Sequence, residues 1–266
     1  MTFDLESIVR AAKAGGEVLR NYFGQSLETT QKTIASDFQT KADTESEAAI
    51  LPIIQAAFPT ATIFSEEAGW MHRDPRLTFY IDPLDGTNNF VLGIPNFCVS
   101  IGLFAGDEII AGVIYHPILD LVYSAEKGKG AFLDGVRLQV NKIADMTKAS
   151  VCNDQGYGAV SDDTAITKAL YALDAKRVVM NWSGALDFCL LASGRVEGMV
   201  QNGLQIHDFA AGKLIARESG AKITDFGGKP EQDINRFFLV SNGTVIHDHL
   251  VEVMKSEESP GASLRH

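Results

Sequence analysis

The feature that most constrains the fold is a change of hydrophobic pattern near residue 145. Between residues 61 and 123, short β-rich segments follow one another, separated by turn residues such as Gly106-Asp107 and Pro117. This pattern predicts an antiparallel sheet. Beyond residue 144, short strands alternate with helical segments, which is typical of α/β structure. We therefore predict an N-terminal α+β half over residues 1–145 and a C-terminal α/β half over residues 146–266.

Two helices are predicted before the first of these strands. Apolar residues recur at helical spacing over residues 4–24. A second helix is predicted to begin near Thr40–Thr44 and to end at Ala57, with Thr44 and Glu47 as a capping box. The first half of the chain thus combines two helices with the antiparallel sheet.

Composition indicates an ordinary globular enzyme, with 45% hydrophobic and 21% charged residues. The formal net charge of −11 disfavours direct binding to nucleic acid or to anionic membranes. The three cysteines form no CxxC pair, so neither a disulfide framework nor a zinc site is indicated. We expect a cytoplasmic protein, because the sequence lacks a signal-peptide pattern and an apolar run of roughly 18–20 residues.

The segment Tyr80–Phe90 carries the strongest chemical signal. A predicted strand brings Asp82 to its end, Pro83 fixes the next backbone dihedral, and Asp85 follows before the helix start at Gly86-Thr87. Two carboxylates around a rigid turn can face one hard cation such as Mg²⁺. Backbone N–H groups at a helix start can hold a phosphate beside that cation. Taken alone, such a segment is more often a turn with a helix cap.

Further acidic residues occupy comparable positions. Glu66 follows a predicted strand, Asp208 stands at a predicted helix start, and Asp43 lies in the first turn of another helix. Singly, each has an ordinary interpretation, as a solvated surface acid or as a helix cap.

Together these segments resemble the inositol monophosphatase family of metal-dependent, lithium-sensitive phosphatases. The family's motifs occur in the expected order, as Lys32, Thr40 with Asp43, Glu66-Glu67, Asp82–Phe90 and Asp208–Gly212. Their spacing is compatible over roughly residues 5 to 255. The resemblance implies a layered αβαβα sandwich of the inositol monophosphatase and fructose-1,6-bisphosphatase type, and a homodimer.

The resemblance also implies a role for individual residues. Two or three Mg²⁺ ions would be bound by four carboxylates and one backbone carbonyl, namely Glu66, Asp82, Asp85, Asp208 and the carbonyl of Leu84. The residues that would orient and activate the attacking water are Asp43, Thr87 and Glu66. The implied contacts to phosphate and substrate are Gly86, Thr87, Asn88, Gly184, Ala185, Gln201 and Asp208.

Three positions depart from the family's commonest pattern. His207 stands where Trp is usual, Gln201 stands where a Glu binds inositol hydroxyls, and Trp182 adds bulk to a loop of small residues. None of these is an implied metal ligand. The expected activity is therefore Mg²⁺-dependent hydrolysis of a small phosphorylated polyol or sugar by a metal-activated water, with inositol monophosphate as the first candidate. The alternatives are histidinol phosphate or another sugar or nucleotide phosphate, and a regulatory protein-binding role.

Overall fold

The structure is a computed structural model that describes residues 3–25, 29–31, 38–154 and 161–257. Lys32, matched above to the family pattern, lies outside the described residues. The helices in this part of the chain are α1 (Leu5–Tyr22), α2 (Lys41–Ala57), α3 (Thr87–Val91), α4 (Asp163–Ala172), α5 (Gly184–Ala192), α6 (Ile206–Glu218) and α7 (Ile246–Glu257). Within the same ranges, no helix is both long and apolar enough to cross a bilayer.

The strands form two large sheets and one small antiparallel pair. The pair consists of β1 (Thr29–Gln31) and β2 (Phe38–Thr40). The strands of the first large sheet are β3 (Ala61–Ser65), β4 (Gly69–Met71), β5 (Asp74–Asp85), β6 (Cys98–Ala105), β7 (Glu108–His116), β8 (Leu121–Glu126), β9 (Gly130–Leu133) and β10 (Val136–Arg137). The strands of the second are β11 (Ser150–Asn153), β12 (Arg177–Val179), β13 (Gly198–Asn202), β14 (Lys222–Thr224) and β15 (Phe237–Ser241).

The eight-stranded sheet has the order β10-β9-β8-β7-β6-β5-β3-β4 and is antiparallel except where β3 runs parallel to β5. The five-stranded sheet has the order β12-β11-β13-β15-β14, in which β11 is parallel to both of its neighbours and β15 is antiparallel to both of its own. The two sheets take their strands from opposite sides of residue 145. Whether the two halves are separate domains stays a prediction.

Four apolar clusters lie between five layers. The first joins α1 and α2 to the eight-stranded sheet, and the second joins the other face of that sheet to α5 and α6. The third cluster joins one face of the five-stranded sheet to α4 and α7. The fourth joins its other face to α5 and α6. The layers are therefore αβαβα, which confirms the predicted fold class.

Two glycines allow α6 to lie close to the eight-stranded sheet. Gly102 on β6 and Gly112 on β7 face each other in register. A Cβ atom at Gly102 would lie 2.6 Å from the Cβ of Ala210, and one at Gly112 would lie 2.7 Å from the carbonyl oxygen of Ala211. Because Ala210 and Ala211 belong to α6, small residues on both elements fix how near the helix comes to the strands.

The predicted capping box of the second helix is wrong. The box is formed by Thr40 and Asp43, because β2 keeps the chain extended up to Thr40 and the helix begins immediately after it. Glu47 instead lies one turn inside α2, where its carboxylate accepts hydrogen bonds from the backbone N–H groups of Glu67 and Ala68 at 3.2 and 3.1 Å. Glu47, predicted to cap the helix, therefore stabilises the loop after β3 instead.

Candidate active site

The parallel pairing of β3 with β5 brings the first two candidate ligands together. Ser65 is the register partner of Ile81, and the N–H of Glu66 donates to the carbonyl of Ile81 at 3.1 Å. Parallel strands end at the same edge of a sheet. Glu66 follows the last residue of β3, as the sequence predicted, and lies beside Asp82. The predicted strand end at Asp82 is wrong, because pairing with β6 extends β5 to Asp85.

A β-bulge places Asp85 after Asp82 on the same strand. Asp82 pairs with Ser100 and Asp85 with Cys98, so that β5 contains one residue more than β6 over this interval. Such an insertion bends the strand and re-aims its side chains. The bend is held by a hydrogen bond of 2.9 Å from the N–H of Leu84 to the carboxylate of Asp82.

Gly86 makes the turn from β5 into α3. Its φ of +91° is left-handed, and a Cβ atom there would lie 2.9 Å from the carbonyl oxygen of Asn96. Only glycine meets both conditions without strain. Asn89 in α3 then donates to the carbonyls of Asn96 and Asn181, both at 2.8 Å, so the turn is tied to a segment of the second half.

Asp43, Thr87 and Leu84 form one hydrogen-bonded group. The hydroxyl of Thr87 lies 3.3 Å from a carboxylate oxygen of Asp43 and 3.0 Å from the carbonyl oxygen of Leu84. The other oxygen of Asp43 accepts from the N–H and the hydroxyl of Thr40 at 2.8 and 2.7 Å. Burial, opposed by these bonds, raises the pKa of Asp43 to about 6. Asp43 is thus oriented toward Thr87 and has the proton affinity of a general base near neutral pH.

Asp208 reaches the same region from the first turn of α6. One carboxylate oxygen accepts from the N–H of Gln205 at 2.8 Å, and the other lies 3.1 Å from Nε2 of His207. The hydroxyl of Ser100 donates to the carbonyl of His207 at 3.2 Å. Since Ser100 is the partner of Asp82 in the sheet, this bond links the start of α6 to the strand that carries the other acids.

The carboxylates repel one another in a buried environment. Burial, followed by the charges of Glu66, Asp85 and Asp208, raises the pKa of Asp82 well above its usual range. Burial, together with the charge of Asp208, raises the pKa of Asp85 to about 7 against the hydrogen bond from Ser183. Burial also raises the pKa of Asp208, although His207 opposes it. Four interacting acids with oxygen donors match the ligand chemistry of a hard divalent cation.

The described acidic side chains are not arranged around a common point as metal ligands would be. In that part of the chain, no three Asp, Glu, His or Cys side chains stand in an arrangement that holds an ion. Asp85 accepts from the hydroxyl of Ser183, and Asp208 is engaged by His207. The donor set fits a metal such as Mg²⁺. The assignment of Glu66, Asp82, Leu84, Asp85 and Asp208 as its ligands stays a prediction.

The predicted substrate contacts come from both halves of the chain. Gly184 and Ala185 begin α5, and the N–H of Ala185 donates to Asp85 at 3.2 Å. Gln201 is buried on β13, where it pairs with Phe238. Asn88 and Thr87 belong to α3. The structure thus brings the start of α5 to the acids. The substrate roles of all these residues stay predictions.

Sequence reasoning missed several residues that support the acids. Ser183 and Cys98 both contact Asp85, the thiol at 3.6 Å, and Glu47 holds the loop after Glu66. A serine directly before a predicted helix start was the one available signal, as an N-cap. The contacts of Cys98 and Glu47 depend on tertiary packing and have no local signature.

The comparisons with known proteins identify the family. The family model described as the inositol monophosphatase family matches residues 4–259. The chain belongs to the inositol monophosphatase family. The matched range includes all the acids described above, from Asp43 in α2 to Asp208 in α6.

Relatives match over most of their length. A Vibrio cholerae protein named Nus factor SuhB is 38% identical over 230 residues, which covers 84% of this chain and 85% of that protein. The fructose-1,6-bisphosphatase/inositol-1-monophosphatase of Thermotoga maritima is 32% identical over 250 residues, covering 94% and 95%. The crystal structure of the extragenic suppressor protein SuhB from Bartonella henselae has a TM-score of 0.88 at 31% identity and covers 94% and 98%.

Proposed function

We propose that the protein is a magnesium-dependent phosphomonoesterase that cleaves a small phosphorylated polyol or sugar, with inositol monophosphate as the first candidate. The observation that carries the proposal is the group of buried, mutually repelling acids around Asp82, next to the Asp43–Thr87 pair. Such an arrangement is costly without a counter-charge. Family membership supports phosphate ester hydrolysis as the use for it.

The chain's own residues account for positioning and proton movement. Asp43 faces the hydroxyl of Thr87 and can accept a proton passed through it from an attacking water. The bulge after Asp82 and the left-handed turn at Gly86 place backbone N–H groups at the start of α3, where they can hold the phosphate. Divalent metal, when bound, supplies charge neutralisation at the phosphoryl oxygens and lowers the pKa of water.

A substrate panel tests the proposal. Phosphate release is measured from myo-inositol 1-phosphate, glycerol 2-phosphate, histidinol phosphate, fructose 1,6-bisphosphate and a 3′,5′-nucleotide bisphosphate, with and without Mg²⁺. We expect magnesium-dependent release with inositol phosphate preferred, and inhibition by lithium. No release from any substrate refutes the phosphatase assignment, and preference for another ester refutes only the inositol assignment.

Asp82→Asn gives the sharpest test of the metal site. The substitution removes one of four interacting charges, so turnover should be lost while the metal-free protein melts at the same or a higher temperature. Asp107→Asn, at an exposed turn, is the matched control and should retain full activity. Full magnesium-dependent activity of Asp82→Asn would contradict the metal assignment.

A regulatory protein-binding role is the second candidate, because a relative of 38% identity is named Nus factor SuhB. Capture experiments with wild type and Asp82→Asn separate the two functions. A partner retained equally by the inactive variant indicates a role independent of hydrolysis. The homodimer also stays a proposal, and light scattering coupled to gel filtration tests it.

A further inference from the structure

A pair of acids, one partly and one fully buried, lies beside the candidate active site. Asp154 directly follows β11, and Asp187 lies in the first turn of α5. Asp187 is completely buried, and the Oδ2 atom of each residue is out of contact with solvent. Neither acid belongs to the proposed metal ligands or is used in the hydrolysis described above.

Both acids are hydrogen-bonded by Asn181, the first residue of a short stretch called here the 181–183 segment. The N–H of Asn181 donates to Oδ1 of Asp154 at 2.7 Å, and the side-chain amide of Asn181 donates to Oδ1 of Asp187. The backbone N–H favours the charged form of Asp154.

The remaining oxygen of each acid lacks a hydrogen-bond donor. Oδ2 of Asp154 and Oδ2 of Asp187 are buried and have no hydrogen-bond partner among the described residues, and Asn181 donates to Oδ1 of both acids. Two carboxylate oxygens can form a hydrogen bond only if a proton lies between them. Burial raises the pKa of Asp187 well above its usual range, so Asp187 is the acid of the pair that favours the protonated form.

The 181–183 segment in turn contacts the candidate active site. The hydroxyl of Ser183 donates to Asp85, one of the proposed metal ligands. The carbonyl of Asn181 accepts from the side chains of Asn89 and Asn96 at 2.8 and 2.9 Å. Asn89 lies in α3, which follows the glycine turn. The segment therefore bridges the acid pair and both parts of the site.

Backbone strain shows that the segment is held against its own preference. Trp182 has φ of +56°, a left-handed conformation that costs a residue with a side chain roughly 1–2 kcal/mol. The residue is 45% exposed, so burial does not account for the conformation. The backbone on both sides of this residue is hydrogen-bonded: the N–H of Asn181 donates to Asp154 at 2.7 Å, and the side chain of Asn89 donates to the carbonyl of Trp182 at 3.3 Å.

We propose that Asp154 and Asp187 share one proton and act as positioning residues, which hold the 181–183 segment and through Ser183 orient Asp85. The effect on turnover rests on the proposed phosphatase function. The effect on the segment does not, because Trp182 reports its position directly.

Trp182 fluorescence tests the proposal without reference to catalysis. The chain has two tryptophans, so Trp70→Phe leaves Trp182 as the single emitter. In this background, Asp187→Asn supplies an amide N–H in place of the shared proton, whereas Asp187→Leu supplies none. We expect Asp187→Asn to keep the emission maximum and the acrylamide quenching of the parent. Asp187→Leu should shift the emission to the red and increase quenching.

Two further variants complete the set. Asp154→Asn removes the charge that accepts from the N–H of Asn181, and it should increase quenching as Asp187→Leu does. Asp163→Asn is the matched control, because Asp163 is a buried acid of α4 that is hydrogen-bonded to Asn202 at 3.0 Å and has no part in the segment. It should leave Trp182 unchanged. Circular dichroism and thermal unfolding establish that each variant is folded.

Activity toward 4-nitrophenyl phosphate with Mg²⁺ gives the second readout. Residues that orient a metal ligand typically contribute about 10–100-fold to activity, and we expect a loss of that size in Asp187→Leu with substantial recovery in Asp187→Asn. Equal damage in folded Asp187→Asn and Asp187→Leu would overturn the shared proton. Unchanged Trp182 emission in Asp187→Leu and Asp154→Asn would overturn the positioning role. If the parent releases no phosphate, the proposed function fails while the fluorescence comparison still decides the acid pair.

Discussion

One added methyl group at Gly102 is expected to displace α6 and, with it, Asp208. The new Cβ atom would lie 2.6 Å from the Cβ of Ala210 and 3.2 Å from the backbone nitrogen of Ala211. Carbon atoms in favourable contact are about 3.5–4.0 Å apart, so the overlap with Ala210 is about 1 Å. An alanine reduces the conformational freedom of the unfolded chain, which alone would stabilise the protein by about 0.4–1 kcal/mol relative to glycine. The overlap destabilises the protein only if its cost is larger than this.

The atoms involved predict which second substitution restores stability. Overpacking of a well-packed core costs about 1–3 kcal/mol, which we expect for Gly102→Ala. Ala210→Gly costs about 1 kcal/mol through helix propensity, but it removes the atom nearest to the new methyl group. The loss of unfolding free energy in the double variant should therefore be smaller than the sum of the two single losses by about 1 kcal/mol or more. This lies within the range of interaction energies found for residues in contact.

Gly112 provides the matched comparison. A Cβ atom there would meet the carbonyl oxygen and Cα of Ala211 at 2.7 and 2.8 Å. These are backbone atoms, so Ala211→Gly cannot relieve the overlap, and the second double-variant cycle should show no recovery.

Urea unfolding of all variants measures the free energies of unfolding in both cycles. In thermal unfolding, each kcal/mol of destabilisation should lower the melting temperature by about 2–4 °C. Additive effects of Gly102→Ala and Ala210→Gly, or equal recovery in both cycles, would refute the close packing of α6 as described.

Three further outcomes are expected. Lys213→Met should destabilise the protein by about 3 kcal/mol, the lower end of the range for breaking a buried ion pair. It removes the ammonium group 2.6 Å from the buried carboxylate of Glu231 and leaves Arg217, at 3.7 Å, as a charge partner. Lys129→Met, at an exposed ion pair, should change urea stability by less than about 1 kcal/mol. Burial lowers the pKa of His247 from 6.5 to about 4; the unfolded chain therefore binds a proton first, and stability is lost as the pH falls from 6.5 to 4. Wild type should lose up to about 1.4 kcal/mol per pH unit more than His247→Gln over that window, and parallel pH curves would contradict this. Gln201→Glu should raise phosphate release from inositol phosphate relative to glycerol phosphate, and an unchanged ratio would show that this position does not set specificity.

Periodicity and turn residues in the sequence predict most of the sheet that carries the acids. The end of β3 before Glu66 could be located because the acid directly follows a β-rich run, whereas β5 continues past Asp82 to Asp85. Parallel pairing of the two strands brings Glu66 beside Asp82. The bulge between Asp82 and Asp85 was not predicted, because pairing with β6 decides where the extra residue lies. The short β4 was also missed, since three residues give no usable alternation.

Contacts between distant parts of the chain were the least predictable. Ser183 reaches Asp85 across 98 positions, and no local pattern records that distance. The acid pair of Asp154 and Asp187 depends on β11 and α5 meeting in the second half. In the sequence each is a single acidic residue that resembles a surface acid, and their buried oxygens and their shared partner Asn181 distinguish them.

The central helix layer explains why changes remote from the acids can affect them. Asp208 lies in the first turn of α6. Asp85 accepts hydrogen bonds from Ser183 and Ala185 at the start of α5. These helices pack against each other and against both sheets. The position of each acid is therefore set by how the helices fit between the sheets as well as by its own strand or turn. A substitution that separates α6 from β6 should reduce hydrolysis more than its cost in stability alone would explain, because Asp208 moves with the helix while Asp82 remains on the sheet.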